Sequence, residues 1–85
     1  MEYVELNWEE TLEVVLGDAM LLSVDMKRNG GFTRKDSFEA AENYRETLPE
    51  EKGWIINYEA AVEAFEVARE TRDLIDRMVK LARSE

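Results

Sequence analysis

The stretch from Asn57 to Arg83 constrains the fold most, because its apolar residues keep helical spacing longer than any other segment. Ala61, Phe65, Ala68, Arg72, Ile75, Val79 and Ala82 form one seam, and Ala60, Ala64, Val67, Thr71, Leu74, Met78 and Leu81 form another beside it. Two adjoining seams make a face wider than that of a two-stranded coiled coil, so this helix needs two neighbours. Its polar line is Glu59, Glu63, Glu66, Glu70, Asp73, Arg77 and Lys80. Asn57 is a suitable N-cap, and acids early with Arg77, Lys80 and Arg83 late suit the helix dipole. Arg69 with Asp73, Arg72 with Asp76 and Asp76 with Lys80 have the spacing of ion pairs within a helix.

The neighbours lie upstream. Asn7 and Glu10 have capping-box spacing, and Trp8, Leu12, Val15, Ala19, Leu22 and Met26 predict a first helix over about 8–27. Leu16 and Met20 widen its stripe, while Val14, Leu21 and Val24 carry apolar surface to other sides, which marks the helix as central or as a subunit contact. Gly17 lowers its helix propensity and offers another helix a close approach. A competing reading makes Ala19 to Met26 a strand that turns back at Asn29-Gly30. Gly30 and Gly31 break the chain, and Thr33 or Asp36 caps a second helix over 35–48 with Phe38, Ala41, Tyr44 and Leu48 on its apolar face. Pro49 is expected to end it. Met1 to Leu6 reads as an extended arm with Tyr3, Val4 and Leu6 for apolar contacts, and Glu50 to Ile56 as a loop whose Trp54, Ile55 and Ile56 plug one end of the core, with an exposed binding edge as the alternative.

The expected fold is therefore all-α, an antiparallel three-helix bundle with helices at about 8–27, 35–48 and 57–83 in one domain. With 85 residues and no cysteine, the core is near the size at which burial alone holds a fold, and a dimer is slightly favoured over a monomer.

That topology sorts the charge. Glu2, Glu5, Glu9, Glu10, Glu13, Glu46, Glu50, Glu51, Glu59 and Glu63 gather at one end, and Lys27, Arg28, Arg34, Lys35, Arg77, Lys80 and Arg83 at the other. Helix dipoles account for acids at helix starts and bases at helix ends, but not for Arg34 and Lys35 near a start. Charge runs are ordinarily solvated faces; the functional reading is a docking end for a basic partner.

Without Cys or His, the chain lacks thiol and imidazole nucleophiles, an imidazole base and thiolate metal sites. Ser23, Ser37 and Ser84 have no histidine to activate them, no glycine-rich phosphate loop occurs, and a pair such as Asp18 with Asp25 is indistinguishable from solvated acids. No enzyme activity and no cofactor are expected. A net charge of −9 disfavours direct contact with nucleic acid. The N-terminus lacks the pattern of a signal peptide and no apolar run is long enough for a bilayer, so a cytoplasmic setting without membrane contact is expected.

Residues Asp25 to Asp36, DMKRNGGFTRKD, resemble the calcium loop of an EF-hand. Asp25, Asn29, Gly30, Phe32 and Thr33 match that family's first ligand, a further ligand, its turn glycine, its inward apolar residue and a water-bridging ligand. The resemblance implies calcium binding between two helices. Lys27 stands at a ligand position, however, and Asp36 stands where a bidentate Glu normally closes the site.

The function expected from these residues is a small acidic protein-binding module. Its candidate contacts are Glu9, Glu10, Glu13, Glu50, Glu51, Glu59, Glu63 and Glu66. In a sharper form it is a regulator or inhibitor that occupies a nucleic-acid-binding groove by imitating phosphate spacing. The alternatives are an assembly protein whose first helix pairs with its copy, and an EF-hand-like calcium binder.

Overall fold

The computed structural model describes residues 2–84. Its elements are β1 (Val4–Glu5), α1 (Trp8–Arg28), α2 (Arg34–Lys52), β2 (Trp54–Ile55) and α3 (Tyr58–Arg83). The helices form an all-α three-helix bundle in which α3 packs against both α1 and α2. Strands β1 and β2 pair in parallel, with Val4 opposite Trp54 and Glu5 opposite Ile55. Each strand leads into its helix through a two-residue link, so α1 and α3 start level and run the same way. Helix α2, which joins them in sequence, returns antiparallel along α3: Arg45 near its end lies over the Tyr58 ring, and Ser37 near its start reaches Glu66.

Local chemistry sets the helix ends. Asn7 and Glu10 form a reciprocal capping box on α1, Thr33 and Asp36 form another on α2, and the Asn57 side chain accepts from the Ala60 N–H on α3. The faces that meet are narrow. Thr11, Val15, Ala19 and Ser23 are the buried residues of α1, and Ala60, Ala61, Ala64, Phe65 and Ala68 those of α3. Small side chains bring the helix axes close, and each alanine contributes little apolar area. Phe65 supplies the bulk that they lack, with its ring 5.5 Å from that of Tyr44; full burial of such a side chain stabilises by about 1.5–3 kcal/mol.

Several sequence expectations are corrected. Helix α2 continues through Pro49 to Lys52, and its stop is Gly53, which takes the left-handed φ of 71° and donates its N–H to the Leu48 and Pro49 carbonyls. Proline forfeits one hydrogen bond, but the glycine cap collects the carbonyls left over at the helix end, so the last turn persists. Segment 50–56 is accordingly helical as far as Lys52, turns at Gly53 and is strand only at Trp54–Ile55. Within it Ile56 is buried, Trp54 half-buried and Ile55 exposed, so only part of that apolar run plugs the core. Ala19 to Met26 is helical throughout, and the alternative hairpin does not form. Gly17 faces solvent, with no atom within 4 Å of where a Cβ would stand, so no helix approaches there. The expected ion pairs within α3 give way to others: Arg69 pairs with Glu66, Asp73 with Lys27 of α1, and the Arg72 guanidinium donates to Ser23 Oγ at 3.5 Å.

Unequal helix lengths leave part of α3 uncovered. The last turn of α1 reaches Asp73 through Lys27, and α2 starts opposite Glu66. From Arg77 to Ser84 every residue is exposed, so the final turns of α3 project beyond the bundle. The molecule is long and thin, at 56 × 23 × 18 Å.

Candidate functional site

The parallel strand pair decides which acids come together. Because β1 and β2 hold the starts of α1 and α3 side by side, Glu9, Glu10 and Glu13 on α1 lie at the same end as Glu59 and Glu63 on α3. Helix α2 finishes immediately before β2, and this brings Glu50 and Glu51 to that end as well. All seven carboxylates are exposed. Glu10 also accepts a hydrogen bond from the Asn7 N–H at 3.0 Å as part of the cap.

Glu66 lies elsewhere. It is half-buried in the middle of α3, where its carboxylate accepts from Arg69 at 2.6 Å and from the Ser37 hydroxyl at 3.0 Å and faces Arg34 at 3.5 Å. The Arg69 hydrogen bond, aided by Ser37 and by the charges of Arg69 and Arg34, holds its pKa below the ordinary glutamate value against the opposing effect of burial. A carboxylate this committed staples α2 to α3 and is not open to a partner.

The acidic end is not uniformly acidic. Lys52 is exposed in the last turn of α2, and Arg45, which pairs with Glu42, stacks 4.6 Å from the centre of the Tyr58 ring. The opposite end is divided. Arg34 and Lys27 are drawn into ion pairs with Glu66 and Asp73, whereas Arg77, Lys80 and Arg83 lie further out on the projecting part of α3.

Trp8, expected on the apolar stripe of the first helix, and Ile55, expected in the core plug, are instead exposed among the acids, together with Tyr3 and Val4. Tyr3 and Val4 are 53% and 55% exposed, Trp8 43% and Ile55 39%. The strand pair sets Val4 opposite Trp54 and Glu5 opposite Ile55, so Val4 and Ile55 lie on adjacent strands but on opposite faces of the pair, and Trp8 opens α1 two residues beyond Leu6. The sequence signals were the apolar Tyr3 and Val4 of the N-terminal arm and the alternative of an exposed edge at Trp54 to Ile56.

The EF-hand resemblance does not produce a converging ligand set. Asp25 sits inside α1, where its carbonyl accepts the Asn29 N–H, and Lys27 is turned to Asp73. The Asp36 carboxylate accepts from both the N–H and the hydroxyl of Thr33, and these bonds lower its pKa. Among the described residues no group of three acidic side chains is placed to hold a metal ion, and no helix is long and apolar enough to cross a membrane. Comparison with protein-family models, with curated proteins and with solved structures yields no match.

Proposed function

We propose that this chain is a small, non-catalytic module that docks its acidic end on a basic surface of another protein, in a cytoplasmic setting. One observation carries the proposal: a topology that collects Glu9, Glu10, Glu13, Glu50, Glu51, Glu59 and Glu63 at one end also leaves Tyr3, Val4, Trp8 and Ile55 exposed there. Protein interfaces combine aromatic and apolar anchors with a polar rim, and the rim charges set the on-rate and the choice of partner. In its sharper form the partner is a nucleic-acid-binding protein whose basic groove accepts carboxylates in place of phosphates.

The test compares proteins captured from native extract by three baits. These are the wild type, the variant Glu9→Lys, Glu13→Lys, Glu59→Lys, Glu63→Lys, and a control of equal net charge, Asp18→Lys, Asp25→Lys, Glu39→Lys, Asp76→Lys. Basic proteins retained by the wild type and the control but lost from the first variant, with helical circular dichroism unchanged in all three, support docking through this end. Equal capture by both variants overturns it.

A further inference from the structure

We propose that α3 pairs antiparallel with α3 of a second copy of this chain, along the seam Val67, Thr71, Leu74, Met78 and Leu81. This places self-association on the third helix rather than on the apolar first helix. Val67, Leu74, Met78 and Leu81 are 38%, 51%, 60% and 69% exposed, Thr71 between the first two is half-buried, and beyond it exposure rises as α3 outruns α1 and α2. The spacing of these residues continues the line of Ala60 and Ala64, which are buried in the bundle. It is the three-and-four spacing by which one helix seats against another. At about 1.5 Å per residue, the exposed seam from Val67 to Leu81 is about 21 Å long.

The choice of a second copy, and of its direction, comes from the flanking charges. Glu70 and Arg77 immediately precede Thr71 and Met78, so both lie on the same border of the seam. Both are exposed, and neither takes part in an ion pair among the described residues. In an antiparallel pair these borders run side by side. The register that sets Val67 against Met78 and Thr71 against Leu74 brings Glu70 of each copy next to Arg77 of the other, twice by the twofold axis. A parallel pair instead brings Glu70 and Arg77 against the border that holds Ile75 and Ala82, and no ion pair forms. The seam is short beside a standard interface of about 800 Å² per partner, so the association is micromolar rather than nanomolar.

Sedimentation equilibrium from about 1 µM to about 1 mM brackets that affinity. The wild type is expected to dimerise, and Leu74→Glu or Met78→Glu to weaken the dimer by about tenfold or more, with unchanged helical signal because both sites are exposed. Glu70→Arg and Arg77→Glu each weaken it, and the two together restore it. The chain has no cysteine, so Arg83→Cys carries a single spin label. The antiparallel register separates the two labels by about 30 Å along the axis, whereas a parallel pair leaves them adjacent. A strict monomer throughout the range, a dimer indifferent to Met78→Glu but broken by Leu21→Glu on α1, no restoration by the charge swap, or adjacent labels each overturn the proposal. Glu9 and Glu13 lie on α1, off this seam, so Glu9→Lys with Glu13→Lys is expected to leave the dimer intact while weakening capture through the acidic end, and the two proposals fail independently.

Discussion

The Asn57 N–H donates to Thr11 Oγ at 3.1 Å, which ties the N-cap of α3 to a wholly buried hydroxyl on α1. This bond, with the strand pair beside it, fixes α1 and α3 level at the acidic end. Replacing Thr11 by Val keeps the shape and removes the acceptor, which leaves the Asn57 N–H without its partner. A loss of about 1–2 kcal/mol is expected in urea denaturation, and the Asn57 amide should exchange hydrogen faster than in the wild type.

Glu66 makes the bundle sensitive to acid. Its pKa is lowered on folding from an ordinary 4.5, chiefly by the Arg69 hydrogen bond, and that of Asp73 from 3.8, chiefly by Lys27. A carboxyl whose folded pKa is depressed contributes stability that is present above its unfolded pKa and disappears as pH falls through the folded one. Stability should therefore decline as the pH drops below about 4.5, the ordinary Glu66 value. Glu66→Gln is expected to cost about 1–2 kcal/mol at neutral pH and to flatten the acid limb of a stability profile. A Glu66→Gln profile parallel to that of the wild type would contradict the staple.

Tyr44 governs the opposite limb. Burial, with the Asp18 carboxylate that its hydroxyl reaches at 3.3 Å, pushes its pKa from 10.0 up to about 12. Here the folded pKa is raised, so the contribution is complete below pH 10 and is lost as the pH climbs toward 12. Tyr44→Phe keeps the ring against Phe65 and removes the titrating group. Its stability should fall less steeply than that of the wild type between these limits, and absorbance of the tyrosinate in the folded wild type gives the direct reading.

Two glycines should respond in opposite directions to alanine. Gly17 has helical geometry and open space around it, so Gly17→Ala is expected to stabilise by about 1 kcal/mol. Gly53 holds a φ of 71°, and Gly53→Ala should destabilise by about 1–2 kcal/mol and weaken the adjoining β1–β2 pairing. Thermal denaturation of the two variants decides both.

The helices were legible because long apolar seams repeat at one spacing, and Asn7, Thr33 and Asn57 marked their starts. Pairing of Val4–Glu5 with Trp54–Ile55 was not, since two-residue strands are too short to show a period and the contact spans half the chain. Pro49 misled because the effect of a proline depends on its downstream neighbours, here Gly53 collecting the Leu48 and Pro49 carbonyls. Seven of the eight candidate acids are exposed at one end, where the up-down-up helix order carries them and the strand pair holds the starts of α1 and α3 level. Glu66 is the exception, since its partners Ser37 and Arg34 come from α2 and its role depends on how far α2 slides along α3. Sequence spacing does not specify that slide. It likewise hides the projecting end of α3, which results from three unequal helix lengths.

The most direct measurement of the central proposal is titration calorimetry of the purified basic protein recovered by the wild-type bait, at low and at moderate salt. Binding by the wild type should weaken steeply as salt screens the carboxylates, and the variant Glu9→Lys, Glu13→Lys, Glu59→Lys, Glu63→Lys should bind at least about a hundredfold less tightly, a loss near 2.7 kcal/mol. Affinity that is indifferent to salt and equal for the two proteins would contradict docking through the acidic end.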